Sequence, residues 1–275
     1  MYVKKFDGSK QEFDKNRIIN TCLRNGASQE TAKEIANRIE KEIYDGTTTK
    51  DILRLIWKHL TTRYPESRSR VDLRSALSLL KSKPDFEKYV SLILENLGYA
   101  VQSNVTLKGR CVEHEIDAIA KKAGETLYVE IKHHDLAHTY TPLDVPMKVW
   151  ATLQDLIEGR KLGYHNVNFT NALILCNTKF TDHARKYADC MGIDHIGWKS
   201  RGANGLEAII EQGHLYPITM LKEVDRRLQR LFVDNGILLL LQLTKKDAEI
   251  LTDKRIISPS QLSSLRNKAL KLLNP

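Results

Sequence analysis

The amino-acid sequence predicts a multi-domain α/β protein, and three patterns carry that expectation. Apolar residues recur at helical spacing over about 15–25, 28–44, 49–63 and 68–81, behind two short strand-like runs. Residues 83–217 then interleave helical and strand patterns, as a mixed sheet flanked by helices requires. Beyond Pro217 the pattern is helical throughout. A chain of 275 residues holds two or three compact domains, which we place at 1–82, 83–217 and 218–275.

At the N-terminus, Tyr2-Val3-Lys4-Lys5 reads as a strand, Asp7-Gly8 as a turn, and Glu12-Phe13-Asp14 as the returning strand of a small hairpin. Asp14 and Thr49 are the expected helix N-caps. Lys4, Lys5, Lys15 and Arg17 gather near the hairpin, where they could hold a triphosphate. A basic helical domain without a ligand accounts for the same residues.

The central unit carries the most informative pattern. Ala123-Gly124 lies between two runs of alternating character and is an acceptable two-residue turn, weaker than Asn-Gly. With that tip, residues whose numbers sum to 247 face each other, so Asp117 stands opposite Glu130. The pleat sends Ile116, Ala118, Ala120, Leu127, Val129 and Ile131 to a face that can be buried. Glu113, Glu115, Asp117, Glu130 and Lys132 take the other face. Opposed carboxylates repel unless a cation lies between them.

Mg²⁺ or Mn²⁺ suits such a site, with Asp117, Glu130, the Ile131 carbonyl and waters as ligands. The ion would polarise a phosphoryl oxygen and lower the pKa of a bound water. Lys132, on the same side, would orient that water or stabilise charge in the transition state. The expected chemistry is phosphodiester hydrolysis. The plain alternative is a solvated face with cross-strand ion pairs, Glu115 to Lys132 for instance.

Asp117, twelve intervening residues and Glu130-Ile131-Lys132 resemble the D…ExK signature of the PD-(D/E)xK nuclease superfamily. The flanks resemble its Mrr-type restriction endonuclease branch over roughly 83–200. They comprise Phe86-Glu87-Lys88-Tyr89 opening a helix that ends in Leu97-Gly98-Tyr99, and the apolar strand Ala172 to Thr178. Phe180-Thr181 then caps a helix through Cys190, and Met191-Gly192-Ile193 leads into a further strand. The resemblance implies a restriction-endonuclease-like mixed sheet, DNA as substrate and a divalent metal. It also implies catalytic roles for Asp117, Glu130 and Lys132, with Glu87 as a supporting acid. An ordinary acid favoured by the helix dipole is the alternative for Glu87. Glu130 departs from the commonest Mrr pattern, which has Gln two residues before the Lys, and follows the older superfamily form.

Val3-Lys4-Lys5-Phe6-Asp7-Gly8, Glu12 to Ile18, and Tyr44 to Ile52 resemble the ATP-cone, a nucleotide-sensing module. That implies ATP or dATP as effector, contacted by Val3, Lys4, Lys5, Asp14, Arg17 and Thr49. Phe6 stands where the family usually has Arg, and Leu53 where many cones carry a His.

Composition agrees with a polyanion ligand. The formal net charge is +9, divided as +6 over 1–82, −2 over 83–217 and +5 over 218–275. No apolar run is long enough for a bilayer, no secretory signal is visible, and no GxxxxGK[ST] phosphate loop is present. Cys22, Cys111, Cys176 and Cys190 lack zinc-site spacing, which fits a reducing cytoplasm. Cys176 and Cys190 are the expected buried thiols.

The run His133-His134-Asp135 with His138 reads as a polar loop beside the site rather than a zinc centre. Val145 to Arg160 reads as a helix with Trp150, Leu153, Leu156 and Ile157 inward, and Lys148, Arg160 and Lys161 free to meet phosphate. Met220–Val233 is the expected first helix of the tail, which faintly resembles helix-hairpin-helix modules. The combined expectation is a nucleotide-regulated, metal-dependent DNA endonuclease, with homo-oligomer formation left open. A non-catalytic nucleotide-sensing DNA-binding regulator or scaffold is the alternative.

Overall fold

The computed structural model describes residues 1–5, 8–24, 27–63, 71–200 and 205–273. Phe6 and Asp7, residue 25 of the first expected helix, and residues 68–70 of the fourth lie outside the described residues.

At the N-terminus, strand β1 (Tyr2–Lys4) pairs antiparallel with β2 (Lys10–Glu12). Helices α1 (Lys15–Arg24), α2 (Gln29–Glu42) and α3 (Thr49–Arg63) pack around Val3, Ile18, Cys22, Ile35, Ile39, Ile56 and Leu60. The Asp14 carboxylate accepts from the Asn16 N–H at 2.9 Å, as expected of a cap. At α3 the cap is Thr48 rather than Thr49. Its hydroxyl accepts from the Asp51 N–H at 3.1 Å and donates to the Asp51 carboxylate at 2.7 Å, so the helix starts at Thr49 itself.

The expected mixed sheet follows. Helix α4 (Leu73–Leu79) and helix α5 (Glu87–Asn96) precede β3 (Ala100–Lys108), β4 (Glu113–Lys122) and β5 (Glu125–Lys132). Strand β6 (Tyr140–Thr141), helix α6 (Asp144–Lys161), β7 (Asn171–Cys176), β8 (Lys179–Phe180), α7 (Asp182–Cys190) and β9 (Asp194–Ile196) complete the unit. The main sheet runs β3-β4-β5-β7-β9, antiparallel from β3 to β5 and parallel from β5 to β9.

Ala123 and Gly124 both take positive φ (47° and 86°), which closes a two-residue turn whose twist matches the strands. Lys122 therefore faces Glu125 and Ala118 faces Val129, the register in which residue numbers sum to 247. One expectation about the faces needs correction. Both faces of the sheet are covered, because β5 is central and parallel to β7, and parallel strands carry helices on both sides. Ala118, Ala120, Leu127, Val129 and Ile131 enter one core with α5, whereas Ile119 and Tyr128 enter a second core with α6 and α7. Ile116 joins that second core, against the simple parity rule. Opposite Asp117, Asn104 has φ 53°, and there the two paired strands exchange faces: Val101 packs with the first core, Val105 and Leu107 with the second.

Helix α4 does not share the N-terminal core to which its sequence position assigns it. Leu77 and Leu80 enter the first sheet core, and Ala76 enters a C-terminal core. That core is built from Ile218 onward by α9 (Arg226–Asp234), α10 (Leu240–Leu243), α11 (Ile250–Asp253) and α12 (Pro259–Leu273), after α8 (Leu206–Gly213). Its bulk lies past Ile218, while Ile209 and Ile210 of α8 pack on the sheet. Helix α9 starts later than the apolar pattern suggests, because the Asp225 carboxylate caps it by accepting from the Leu228 N–H at 2.8 Å. Ser258 caps α12 by accepting from the Gln261 N–H, and the Gln261 side chain accepts from the Ser258 N–H in return. Cys190 is exposed at the end of α7, so of the two expected buried thiols only Cys176 is inside. No helix among the described residues is long and apolar enough to cross a membrane.

Candidate active site

A cleft of about 440 Å³ opens where β4 and β5 diverge, on the face covered by α6. Asp117, Glu130, Ile131 and Lys132 all line it, with Lys83 and Lys148 at its wall. The two carboxylates are placed by different bonds. Asp117 Oδ2 accepts from the Ile131 N–H at 2.8 Å, which substitutes for the ladder pair that ends at Ala118. The Tyr128 hydroxyl, buried two residues earlier on the same face, donates to Glu130 Oε2 at 2.7 Å. Each acid thus has one oxygen committed to the fold and one left for the cleft.

Ammonium groups meet the remaining oxygens. Lys132 Nζ lies 2.8 Å from Glu130 Oε1, and Lys148 Nζ lies 3.9 Å from the same atom. Lys83 Nζ lies 3.3 Å from Asp117 Oδ1 and 2.9 Å from Glu87 Oε1. Burial works to raise the Glu130 carboxyl pKa, but the Lys132 and Tyr128 hydrogen bonds and the Lys132 and Lys148 charges outweigh it, so the net shift is downward. The hydrogen bond to Glu87 raises the Lys83 pKa, against some burial, and the Asp117 charge adds to the rise.

Glu115 lines the cleft, but Lys132 pairs with Glu130 and not across the strands. Glu87, in the first turn of α5, is buried and reaches Asp117 through the Lys83 ammonium. Among the described residues no three His, Cys, Asp or Glu side chains lie close enough to hold a metal unaided. The donor chemistry nevertheless fits a hard divalent ion. Two carboxylate oxygens already face cationic groups, a carbonyl-bearing residue adjoins them, and such ions keep several waters.

The histidines serve the framework. The His133 ring contacts Phe86, with centroids 4.9 Å apart, and pairs with the Leu77 carbonyl at 3.0 Å. His134 pairs with the Thr141 hydroxyl and His138 with Arg74. Burial lowers the pKa of all three. Asn177, which in sequence reads as the end of the buried strand, holds this segment. Its side chain accepts from the His134 N–H at 2.9 Å and donates to the His134 carbonyl at 2.8 Å. Lys83 carries no sequence signal, because it stands in extended backbone before Pro84 and outside α5, where helical spacing to Glu87 does not apply. Tyr128, two before Glu130, carried a same-face signal.

In the N-terminal unit, Lys4 lies beside Thr48, its N–H donating to the Thr47 carbonyl at 3.1 Å, so β1 and the start of α3 adjoin. Lys4, Lys5 and Thr49 are exposed there. The Val3 side chain is in the core, which leaves only its backbone for a ligand. Arg17 pairs with Asp14 at 3.5 Å and Lys15 with Glu40 at 2.5 Å.

Comparison with known proteins follows this division. Residues 1–78 match the model of the ATP cone domain, and residues 80–196 match that of a restriction endonuclease domain of the Mrr catalytic type. The chain belongs to the family that joins an ATP cone to an Mrr-type restriction endonuclease domain. An uncharacterized protein of Archaeoglobus fulgidus is 39% identical over 130 residues, covering 47% of this chain and 70% of that relative. The crystal structure of AF1548, a protein of unknown function, is 32% identical, with a TM-score of 0.56. The match covers 68% of this chain and 96% of that one. The nuclease-like domain of this family member includes the cleft, and its ATP cone includes the Lys4–Thr48 junction.

Proposed function

We propose that the protein is a nucleotide-regulated DNA endonuclease that hydrolyses phosphodiester bonds with Mg²⁺ or Mn²⁺. The observation that carries this reading is the paired placement of Asp117 and Glu130. Each gives one oxygen to the fold and turns the other toward the cleft that Lys132 lines. Asp117, Glu130 and the Ile131 carbonyl would hold the ion, which supplies an activated water and polarises the phosphoryl oxygen. Tyr128 fixes the Glu130 carboxylate, and the Ile131 N–H fixes that of Asp117. Lys132, a third exposed and hydrogen-bonded to Glu130, keeps its ammonium at the site to stabilise charge on the phosphoryl group. Glu87 supports Asp117 through their shared neighbour.

ATP or dATP is the proposed effector, held by Lys4, Lys5, Asp14, Arg17 and Thr49 with the Val3 backbone. Basic charge at both ends of the chain would hold DNA across the cleft. Cleavage of supercoiled and linear DNA with Mg²⁺, with and without ATP or dATP, tests the reading. Asp117→Asn and Lys132→Met are each expected to lose roughly 10²-fold or more in rate while keeping the wild-type circular dichroism spectrum. Wild-type protein that cuts no DNA under any of these conditions would count against it.

A further inference from the structure

We infer that Lys83 is a displaceable cation: it neutralises Asp117 and Glu87 while the site lacks metal, and on metal binding it turns to a DNA phosphate. This rests on the reading of Asp117 and Glu130 as metal ligands. Asp117 Oδ2 is held by the Ile131 N–H, so the oxygen left for a metal is Oδ1, and that is the atom Lys83 holds. Metal and ammonium compete for one position.

Charge gives the same answer. Lys83 is already paired with Asp117 and Glu87, so a divalent ion placed on Asp117 sets two further positive charges beside its ammonium and repels it. Of the two cations in direct contact with Asp117 or Glu130, Lys83 is the easier to expel; Lys148, 68% exposed, stands off at 3.9 Å and blocks neither oxygen. The Lys83 side chain is 60% exposed, against 34% for Lys132, and it sits in extended backbone (φ −126°, ψ 135°) between α4 and α5. An ammonium freed there stays at the cleft wall. It is then available to a phosphate of DNA entering a cleft whose acids the ion has offset, so metal and DNA reinforce each other through one side chain.

The test uses the full chain and compares wild type with Lys83→Met, Lys83→Arg and Asp117→Asn. Calorimetric titration with Mn²⁺ in the absence of DNA should show Lys83→Met binding the ion about fivefold more tightly than wild type, since no ammonium must leave. Binding of a short DNA duplex is then followed by fluorescence anisotropy over a salt series, in Ca²⁺ and in EDTA. In Ca²⁺ the slope of log K against log salt should be shallower by about 0.9 in Lys83→Met, one phosphate contact. In EDTA the slopes should coincide, and Lys83→Arg should follow wild type in both.

Equal or weaker Mn²⁺ binding by Lys83→Met would overturn the competition. A slope difference that is the same with and without metal would overturn the switch. Failure of the wild type to bind Mn²⁺, or undiminished binding by Asp117→Asn, would remove the metal-site reading itself and the role of Lys83 with it.

Discussion

Glu130 is almost wholly buried and still ionised, and three neighbours explain why. The Tyr128 hydroxyl, the Lys132 ammonium and the more distant Lys148 together offset the cost of removing a carboxylate from water. Because its pKa in the folded state is depressed, its contribution to stability is complete above the ordinary carboxylate range. That contribution is lost as pH falls through the depressed value. Tyr128→Phe removes one of the stabilising bonds at the cost of a single atom. We expect a loss of about 1–2 kcal/mol at neutral pH and an onset of acid unfolding at higher pH than in wild type, read from urea midpoints across a pH series. An unchanged acid limb would mean that Tyr128 does not govern the Glu130 charge. At this scale the sequence was most legible: Asp117, Glu130 and Lys132 do share one cleft. What it hid was Lys83, since a lysine before a proline at a helix break shows no pattern that assigns it to a distant strand.

At the scale of elements, the β4–β5 hairpin was readable because turn chemistry fixes register, and register fixes which residues meet. Parity then sorted side chains correctly from Ala118 to Ile131 and failed at Ile116, where Asn104 in a left-handed conformation lets the strands exchange faces. No sequence period marks that event. The exit of β5 depends on Asn177, whose side chain supplies both halves of a ladder pair to His134. Asn177→Ala should cost about 2 kcal/mol, because it strands a backbone donor and acceptor inside the protein. The loss should be read as a lower thermal midpoint. Faster amide exchange confined to the 133–141 segment would accompany it, whereas uniform loss of protection would contradict this local role.

For the molecule as a whole, α4 is the element that sequence order misplaces. It follows the N-terminal helices but packs with the sheet and the C-terminal core, where the Thr219 hydroxyl donates to the Ala76 carbonyl at 2.7 Å and Gln229 donates to Asp85 at 2.6 Å. An amphipathic stripe states that a helix has a buried side and not which core receives it. The chain therefore leaves the three-helix N-terminal unit before α4, and α4 leads directly to Lys83 at the cleft. A movement of α4 would reach Lys83 along the chain and Asp117 through the ion pair between them. The proposed activity requires a cation between Asp117 and Glu130. Crystals of the full chain soaked in Mn²⁺ and measured for anomalous scattering test this most directly. The prediction is a peak bound by both carboxylates and the Ile131 carbonyl, with the Lys83 ammonium moved away from Asp117. A saturating soak with no peak in the cleft, or a peak held elsewhere while Lys83 keeps its place, would contradict it.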